Sequence, residues 1–140
     1  MSNKAYQSKR DVLPGSSYDE VLKHARKEYS TIRKITKRQP YVRSKYFRGD
    51  KVFMTVFWDH IMQKHQKERT RRLKFYSAAI DLLRNSTFES DSIMEATNKI
   101  ALHRFYGKTR GGEEFCVQVK HDLRAGRKDF MSVFARKLRK

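Results

Sequence analysis

The chain has 140 residues, of which 33 are Lys or Arg and 15 are Asp or Glu, so its formal net charge is +18. This length suits one domain with a modest hydrophobic core. No apolar run approaches the ~20 residues of a membrane span. The first residues lack a charged segment followed by an apolar one, so we expect no secretory signal there. The one cysteine, Cys116, excludes an internal disulfide and a multi-cysteine zinc site and fits a reducing compartment. We therefore expect a cytoplasmic protein with no membrane partner.

The positive charge is concentrated in the first half of the chain. Residues 1–75 contain 20 basic and 7 acidic residues, whereas residues 76–140 contain 13 basic and 8 acidic residues. An excess of this size repels itself unless a polyanion neutralises it, and clustered Lys and Arg are typical of nucleic-acid binding. Charge alone leaves RNA, DNA, anionic lipid and an acidic protein open as partners.

The N-terminal part of the sequence predicts a basic arm followed by a helix. Residues 1–15 are polar and end at Pro14-Gly15, which is typical of a flexible arm. Ser17 and Glu20 have the spacing of a capping box, so the helix should begin there, and Pro40 should end it. Its buried stripe is predicted to consist of Leu22, Ala25, Tyr29 and Ile32.

Two further helices are predicted after a short strand or extended segment at residues 41–48. Asp50 could cap the second helix, whose apolar face would hold Phe53, Val56, Phe57, His60 and Ile61. The third should span residues 68–84, with a stripe of Leu73, Tyr76, Ile80 and Leu83. Its first two turns carry Arg69, Arg71, Arg72 and Lys74. Positive charge is disfavoured at a helix start, so this cluster indicates either an anionic partner or a solvated face.

The last third of the chain changes to the period of two that is typical of strands. Residues 85–98 read as a loop or a short helix, and strands are predicted at residues 99–107, 114–121 and 127–134, with Gly111-Gly112 in the first turn. This pattern predicts an antiparallel meander. The fold class is therefore α+β, with N-terminal helices packed on a small C-terminal antiparallel sheet.

The predicted organisation is one domain. It spans residues 16–135, helical over 16–98 and a β-meander over 99–135, and residues 136–140 form a basic tail.

Alternation along the strands predicts which side chains share a face. If the first hairpin turns on Arg110-Gly111 or Gly111-Gly112, one face should hold His103, Phe105, Cys116, Gln118, Lys120, Phe130, Ser132 and Phe134. The opposite face should be apolar, with Ile100, Leu102, Val117, Val119, Met131 and Val133. The alternative is that the three phenylalanines pack under the helices and a backbone group satisfies His103.

The mixed polar and aromatic face suits RNA cleavage without a metal or another cofactor. RNA supplies its own nucleophile, the 2′-hydroxyl, and the protein must supply a base, an acid and positive charge. His103 is the candidate acid or base, Lys120 could neutralise developing charge, and Ser132 and Gln118 could bind phosphate oxygens. Aromatic side chains such as Phe105 could stack with bases. Contacts with the phosphates of the RNA backbone are predicted for Arg43, Lys45, Arg69, Arg71 and Arg72.

Other kinds of site have weaker support. His60 and His65 do not have the i, i+4 spacing of a metal-binding pair. The sequence shows no Gly-rich phosphate loop, no nucleophile elbow and no paired carboxylates of glycosidase type. The second proton-transfer group is not identified by pattern, and His60, Arg43 and Tyr106 remain options.

Three segments carry a resemblance to a known family. They are His103-Arg-Phe-Tyr-Gly-Lys-Thr109, Phe115-x-Val-Gln-Val-Lys120 and Asp129-Phe-Met-Ser-Val-Phe134. Together they resemble the C-terminal sheet of the phage-type barnase–EndoU–colicin–RelE-like nucleases, the BECR fold. Upstream, Tyr41-Val-Arg-Ser-Lys-Tyr-Phe, Phe57-Trp-Asp-His and Arg71-Arg-Leu-Lys-Phe add to the resemblance, which covers about residues 38–135.

The resemblance implies a fold of helices on a small antiparallel sheet and a metal-independent, toxin-like endoribonuclease. By position it implies His103, Lys120 and Ser132 as the active residues, and a toxin of this kind would have a cognate acidic antitoxin or immunity protein. Two alternatives stay open: a non-catalytic RNA-binding or ribosome-associated protein, and a partner-binding module of a mobile element or phage particle.

Overall fold

The computed structural model describes residues 5–136, and these residues form four helices and seven strands. The helices are α1 (Tyr18–Ile35), α2 (Thr55–Ile61), α3 (Gln66–Leu73) and α4 (Tyr76–Asn85). The strands are β1 (Tyr6–Gln7), β2 (Tyr41–Ser44), β3 (Asp50–Phe53), β4 (Asp91–Met94), β5 (Ile100–Lys108), β6 (Glu114–Asp122) and β7 (Lys128–Ala135). The predicted α+β class is confirmed. Within the described range, no helix has the length and apolar character to cross a membrane.

All seven strands belong to one mixed sheet. Its order is β1-β5-β6-β7-β3-β2, and β4 pairs with β5 beside this path. The pairs β1–β5 and β3–β7 are parallel, and the others are antiparallel. The predicted meander is confirmed as β5, β6 and β7, each within one residue of its expected start and end.

The core lies between one sheet face and the helices. Phe57 of α2 stacks on Phe130 of β7 with ring centroids 4.7 Å apart and planes 3° apart. On β5, Gly107 leaves room for the core: a Cβ there would lie 2.6 Å from Phe115 Cζ and 2.9 Å from Leu82 Cδ1. The absence of a side chain at this position lets α4 pack closely on the sheet.

The N-terminal segment is part of the fold, contrary to the prediction of a flexible arm over residues 1–15. Residues 1–4 lie outside the described range, but Tyr6 and Gln7 pair in parallel with the end of β5. Ser8 is buried and its hydroxyl donates to Asp81 Oδ2 on α4 at 2.7 Å. Strand β1 was not predicted, because a short polar strand has no apolar periodicity in the sequence.

The first helix agrees with its prediction. Ser17 is the N-cap, and its Oγ accepts from the backbone N–H of Glu20 at 3.3 Å and donates to Glu20 Oε1 at 3.2 Å. The helix ends at Ile35, before Pro40. Its buried residues are Val21, Ala25 and Ile32, with Leu22 and Tyr29 partly buried.

The second helix is shorter than predicted. Asp50 does not cap it but begins β3, which pairs with both β2 and β7. The run from Lys51 to Phe53 contains β-branched and aromatic residues, and the glycine turn at Gly49 (φ +88°) returns the chain alongside β2. The helix then starts at Thr55 and buries Phe57 and Ile61.

The third predicted helix is two helices, because α3 ends at Leu73 and α4 begins at Tyr76. Leu73, Phe75 and Tyr76 are all buried, which is more than one helical stripe can bury in four residues. The break places Arg71 and Arg72 in the last turn of α3, where the helix dipole favours positive charge. The predicted conflict with the dipole is therefore removed for Arg71, Arg72 and Lys74, whereas Arg69 stays within the first four residues of α3.

The segment 85–98 contains a strand that was not predicted. Strand β4 pairs antiparallel with β5, with Ser92 opposite His103 and Met94 opposite Ala101. All four of its residues are exposed, so the strand lacks the buried alternate positions that identify strands in a sequence.

Candidate active site

The pairing of β5 with β6 places His103 on the core side of the sheet. His103 lies opposite Val119, and Phe105 lies opposite Val117. Residues directly opposite each other in an antiparallel pair share a face. The prediction that His103 and Phe105 share a face with Lys120 and Ser132 is therefore wrong.

The reason is the length of the first hairpin loop. The last pair is Lys108–Glu114, so the loop has five residues, whereas a two-residue turn was expected. Its ends are held together because Thr109 N–H donates to Glu113 O at 2.9 Å and Glu113 N–H donates to Thr109 Oγ1 at 3.1 Å. Since side chains alternate, a shift of one residue moves a whole strand's side chains to the other face.

The pairing of β6 with β7 keeps part of the predicted face. Gln118 lies opposite Ser132, and Cys116 lies opposite Phe134. Ser132 is buried, and its hydroxyl donates to Gln118 Oε1 at 3.1 Å. Lys120 is on this same side, opposite Asp129. These residues share the face turned away from His103.

A β-bulge changes the position of Phe130. The register shifts between Gln118 and Val119, so Phe130 pairs with Val119 and is fully buried. Phe105 is also buried in the core. Phe130 stacks on Phe57 of α2, so for this ring the alternative of packing under the helices is confirmed. Phe105 packs instead against Tyr46 and Phe47 of the turn between β2 and β3, and Phe134 remains half-buried on the opposite face.

A second histidine, His121, lies beside His103. It is on β6, diagonal to His103 across the strand pair, and His103 Nε2 is 3.0 Å from His121 Nδ1. Directly opposite His121 on β7 is Lys128. We name these three residues, His103, His121 and Lys128, the histidine cluster. They cross three neighbouring strands on one face of the sheet.

Neighbouring side chains fix the position of His103. Its Nδ1 is 2.7 Å from Ser92 Oγ on β4 and 3.5 Å from Ser90 Oγ. The ring of Phe47, from the turn between β2 and β3, lies edge-on to both imidazoles at centroid distances of 5.2 Å (His103) and 5.9 Å (His121). One side of the pair is therefore hydrogen-bonded and the other is apolar.

Lys128 is buried beside the pair and carries a positive charge there. Its Nζ donates to Asp50 Oδ2 at 3.0 Å and to the carbonyl of Gly126 at 3.1 Å, and lies 5.2 Å from the ring centroid of Phe47. Its side chain is only 8% exposed, whereas that of Asp50 is 60% exposed. Water screens the carboxylate more than the ammonium, so the histidines sense a net positive neighbour.

Burial and charge both favour neutral imidazoles. Burial is the largest cause that lowers the pKa of His103, and the charges of His121 and Lys128 lower it further. Burial also lowers the pKa of His121, again assisted by Lys128, while Asp122 and Asp50 oppose the shift. At neutral pH both rings are therefore in the form that can accept a proton.

The hydrogen bonds connect the pair into a proton relay with two arrangements. If His103 Nδ1–H donates to Ser92 Oγ, then His103 Nε2 accepts from His121 Nδ1–H and leaves His121 Nε2 as a base. If Ser92 donates instead, His103 Nε2–H donates to His121 Nδ1, and His121 Nε2 carries a proton. No residue among 5–136 forms a hydrogen bond with His121 Nε2, so this nitrogen is left to bind a ligand.

His121 and Lys128 were missed in the sequence because the assumed register put them away from His103. The usable signal was the loop length: a five-residue hairpin loop places odd-numbered residues of β5 and β6 together. Of the residues suggested as a second proton-transfer group, His60 lies on α2, and Tyr106 is on the opposite face, where its hydroxyl donates to Asp91 Oδ2 at 2.6 Å.

The basic residues predicted to bind phosphates have different environments. Arg43 donates to the carbonyl of Gly49 at 2.9 Å. Arg69 donates to the carbonyls of Lys64 and Met62, both at 2.7 Å, and so ties α3 to the preceding turn. The remaining three are surface residues or partly exposed: Lys45, Arg71 and Arg72.

Within residues 5–136, no group of three or more His, Cys, Asp or Glu side chains is arranged to hold a metal ion. A scan against protein-family models and searches of curated proteins and of solved structures found no match for the chain. The histidine cluster and the charge of the protein are therefore the features that bear on its function.

Proposed function

We propose that the protein is a metal-independent endoribonuclease that uses the His103–His121 pair as its acid–base group. The observation that supports this proposal best is the 3.0 Å contact between the two imidazoles, with one ring nitrogen left for a substrate. The net charge of +18 supports a polyanionic substrate. A BECR-like arrangement of the helices and the sheet, and a toxin-like role with an acidic antitoxin, belong to the same proposal.

The proposed reaction is transesterification within RNA. His121 Nε2 accepts the proton of a 2′-hydroxyl, and the 2′-oxygen forms a bond to the adjacent phosphorus. The bond from phosphorus to the 5′-oxygen breaks, and this oxygen receives a proton from the protonated pair. The products are a 2′,3′-cyclic phosphate and a 5′-hydroxyl. One proton enters the pair and one leaves, so the enzyme ends as it began.

His103 is a positioning residue in this scheme. It links His121 to Ser92 and shares the positive charge that the relay gains in the transition state, so the proton does not have to stay on a single ring. Lys128 keeps the pair neutral in the resting state and contributes positive charge near the reacting phosphate.

The test is single-turnover cleavage of a labelled single-stranded RNA in EDTA. His121→Ala should lower the rate by about 10²–10⁴-fold, the usual contribution of one general acid or base. His103→Ala should also lower it. The matched control is His24→Ala, because His24 is an exposed histidine on α1, away from the sheet. Circular dichroism shows whether each variant folds.

Four results would contradict the proposal. The first three are the absence of cleavage by the wild-type protein, an unchanged rate in folded His121→Ala, and loss of activity in EDTA that a divalent metal restores. Products that end in a 3′-phosphate without a cyclic precursor would exclude attack by the 2′-hydroxyl.

A further inference from the structure

A second basic site lies on the sheet face turned away from the histidine cluster. It is a groove of about 650 Å³ between α3 and the ends of β5, β6 and β7. We name it the arginine groove. Its basic and aromatic lining consists of Arg71, Arg72, Arg104, Arg136, Tyr106 and Phe134. Glu68 and Cys116 also line it.

Guanidinium groups lie over the two rings. Arg72 and Arg104 lie over Phe134, with Cζ 5.5 Å and 5.6 Å from the ring centroid. Arg136 lies over Tyr106 at 4.2 Å. A guanidinium that lies over a ring can still donate its remaining N–H groups, and these suit phosphate oxygens.

The charges in the groove do not balance. Glu68 pairs with Arg72 at 3.0 Å and more loosely with Arg71 at 3.7 Å, and it is the one carboxylate among the lining residues. At the rim, Asp91 accepts from the Tyr106 hydroxyl. Arg104 Nε is buried and has no hydrogen-bond partner in the described part of the chain. A buried unpaired donor costs free energy, and an anionic acceptor brought to this guanidinium would offset part of that cost.

We propose that the arginine groove binds single-stranded RNA, with phosphates on Arg72 and Arg104 and a base stacked on Phe134, where the base takes the place of one of the two guanidiniums as that group turns to its phosphate. This deepens the proposed function, on which it rests for the identity of the ligand. Phosphates alone would need only the cations, whereas Phe134 stays half-buried between two guanidiniums instead of packing in the core. Cations that flank an aromatic surface are the pattern used for unpaired bases, because bases in a duplex are already stacked.

The groove and the histidine cluster lie on opposite faces of the same three strands. Gln118 and Ser132 face the groove side, while His121 and Lys128 face the other side. A strand of RNA bound in the groove would therefore have to pass around the sheet edge to reach His121. The groove thus contributes affinity at a distance from the reacting phosphate, and its loss should affect binding without affecting the chemical step.

The test is binding of the full-length protein to a labelled 2′-O-methyl single-stranded RNA, measured by fluorescence anisotropy over a range of salt concentrations. This ligand lacks the nucleophilic hydroxyl and is not cleaved. Arg72→Gln and Arg104→Gln should each weaken binding and reduce the steepness of the log–log salt dependence by about 0.7, the contribution of one phosphate contact on a single strand. Phe134→Leu should weaken binding at least about fivefold, the lower limit for one stacked base, without a change in the salt slope.

Matched variants separate this role from packing. Phe134→Tyr keeps the ring and should bind like the wild type. Arg33→Gln removes the same charge from an arginine that also stacks on a ring, that of Tyr29 at 6.0 Å, but lies outside the groove, so its effect should be smaller than that of Arg72→Gln. Binding of inorganic polyphosphate should be insensitive to Phe134→Leu.

The outcomes distinguish the two proposals. If the wild type does not cleave RNA but the groove variants weaken binding as described, the endoribonuclease proposal fails and the groove stands. If folded Arg72→Gln and Arg104→Gln bind RNA as tightly as Arg33→Gln does, the groove is not the binding site. An equal effect of Phe134→Leu on polyphosphate and on RNA contradicts base stacking.

Discussion

His121 and Lys128 lie directly opposite each other on β6 and β7, on the sheet face that carries His103. The ammonium of Lys128 is held by Asp50 and by a backbone carbonyl, so it cannot turn away from the imidazoles without breaking both hydrogen bonds. The positive charge of Lys128 on β7 therefore influences the protonation of His103 and His121. The pKa values of both histidines thus depend on one residue, Lys128.

Replacement of Lys128 with Met should move the pH dependence of cleavage. Lys128 lowers the pKa of both His103 and His121, so its removal should raise them. Because the pair must be neutral to accept a proton, activity rises with pH through this pKa, and the acid limb of the profile should shift to higher pH. The measurements are single-turnover rates against pH and an NMR titration of the imidazole protons.

The control for this variant keeps the charge. Lys128→Arg should leave the acid limb near its wild-type position. If Lys128→Met folds and titrates like the wild type, the coupling between β7 and the pair is absent.

A comparison of His121→Ala with Lys120→Ala tests which sheet face is reactive. The sequence favoured Lys120 as the residue that neutralises developing charge, but in the structure it lies opposite Asp129 on the face away from His103. We expect a loss of about 10²–10⁴-fold in His121→Ala and a single-turnover rate within a few-fold of wild type in Lys120→Ala at saturating protein. A large loss in Lys120→Ala alone would support the active residues expected from the sequence.

Much of the sheet followed from the sequence, whereas its register did not. Strands β5 to β7 are recognisable because they are rich in β-branched and aromatic residues and are separated by turns that contain glycine. Which residues meet depends on the loop at Thr109–Glu113 and on the bulge between Gln118 and Val119. A side-chain hydrogen bond fixes the loop length and core packing at Phe130 fixes the bulge, and neither leaves a periodic pattern in the sequence.

The error in strand register changed the choice of site residues more than it changed the predicted fold. His103 was identified correctly as a titratable residue on a central strand, but its partner depends on parity, and an error of one residue replaced His121 with Lys120. Strands β1 and β4 were missed for another reason. They are short and mostly exposed, and they are held by backbone pairing with β5, to which residues of any type can contribute.

Gly107→Ala should destabilise the protein, because the contact between α4 and β5 has no room for a methyl group. A Cβ at this position would meet Phe115 Cζ at 2.6 Å and Leu82 Cδ1 at 2.9 Å. Both neighbours are buried and cannot move freely. Overpacking of this kind typically reduces the free energy of unfolding by about 1–3 kcal/mol. Urea unfolding measures the change, and Lys108→Ala, at the next and exposed position, should stay within about 0.5 kcal/mol of the wild type.

Ser17→Ala should remove one of the hydrogen bonds that begin α1. The Ser17 hydroxyl accepts from the Glu20 backbone N–H at 3.3 Å and donates to the Glu20 carboxylate, so its loss leaves that N–H to water. An N-cap of this kind contributes about 1 kcal/mol to the free energy of unfolding. Ser16→Ala is the matched control, because Ser16 contacts the Glu20 carboxylate at 3.4 Å and no backbone N–H. Equal unfolding midpoints for the two variants in urea would show that the Ser17 cap does not stabilise α1, whereas a lower midpoint for Ser17→Ala alone assigns the effect to the backbone hydrogen bond.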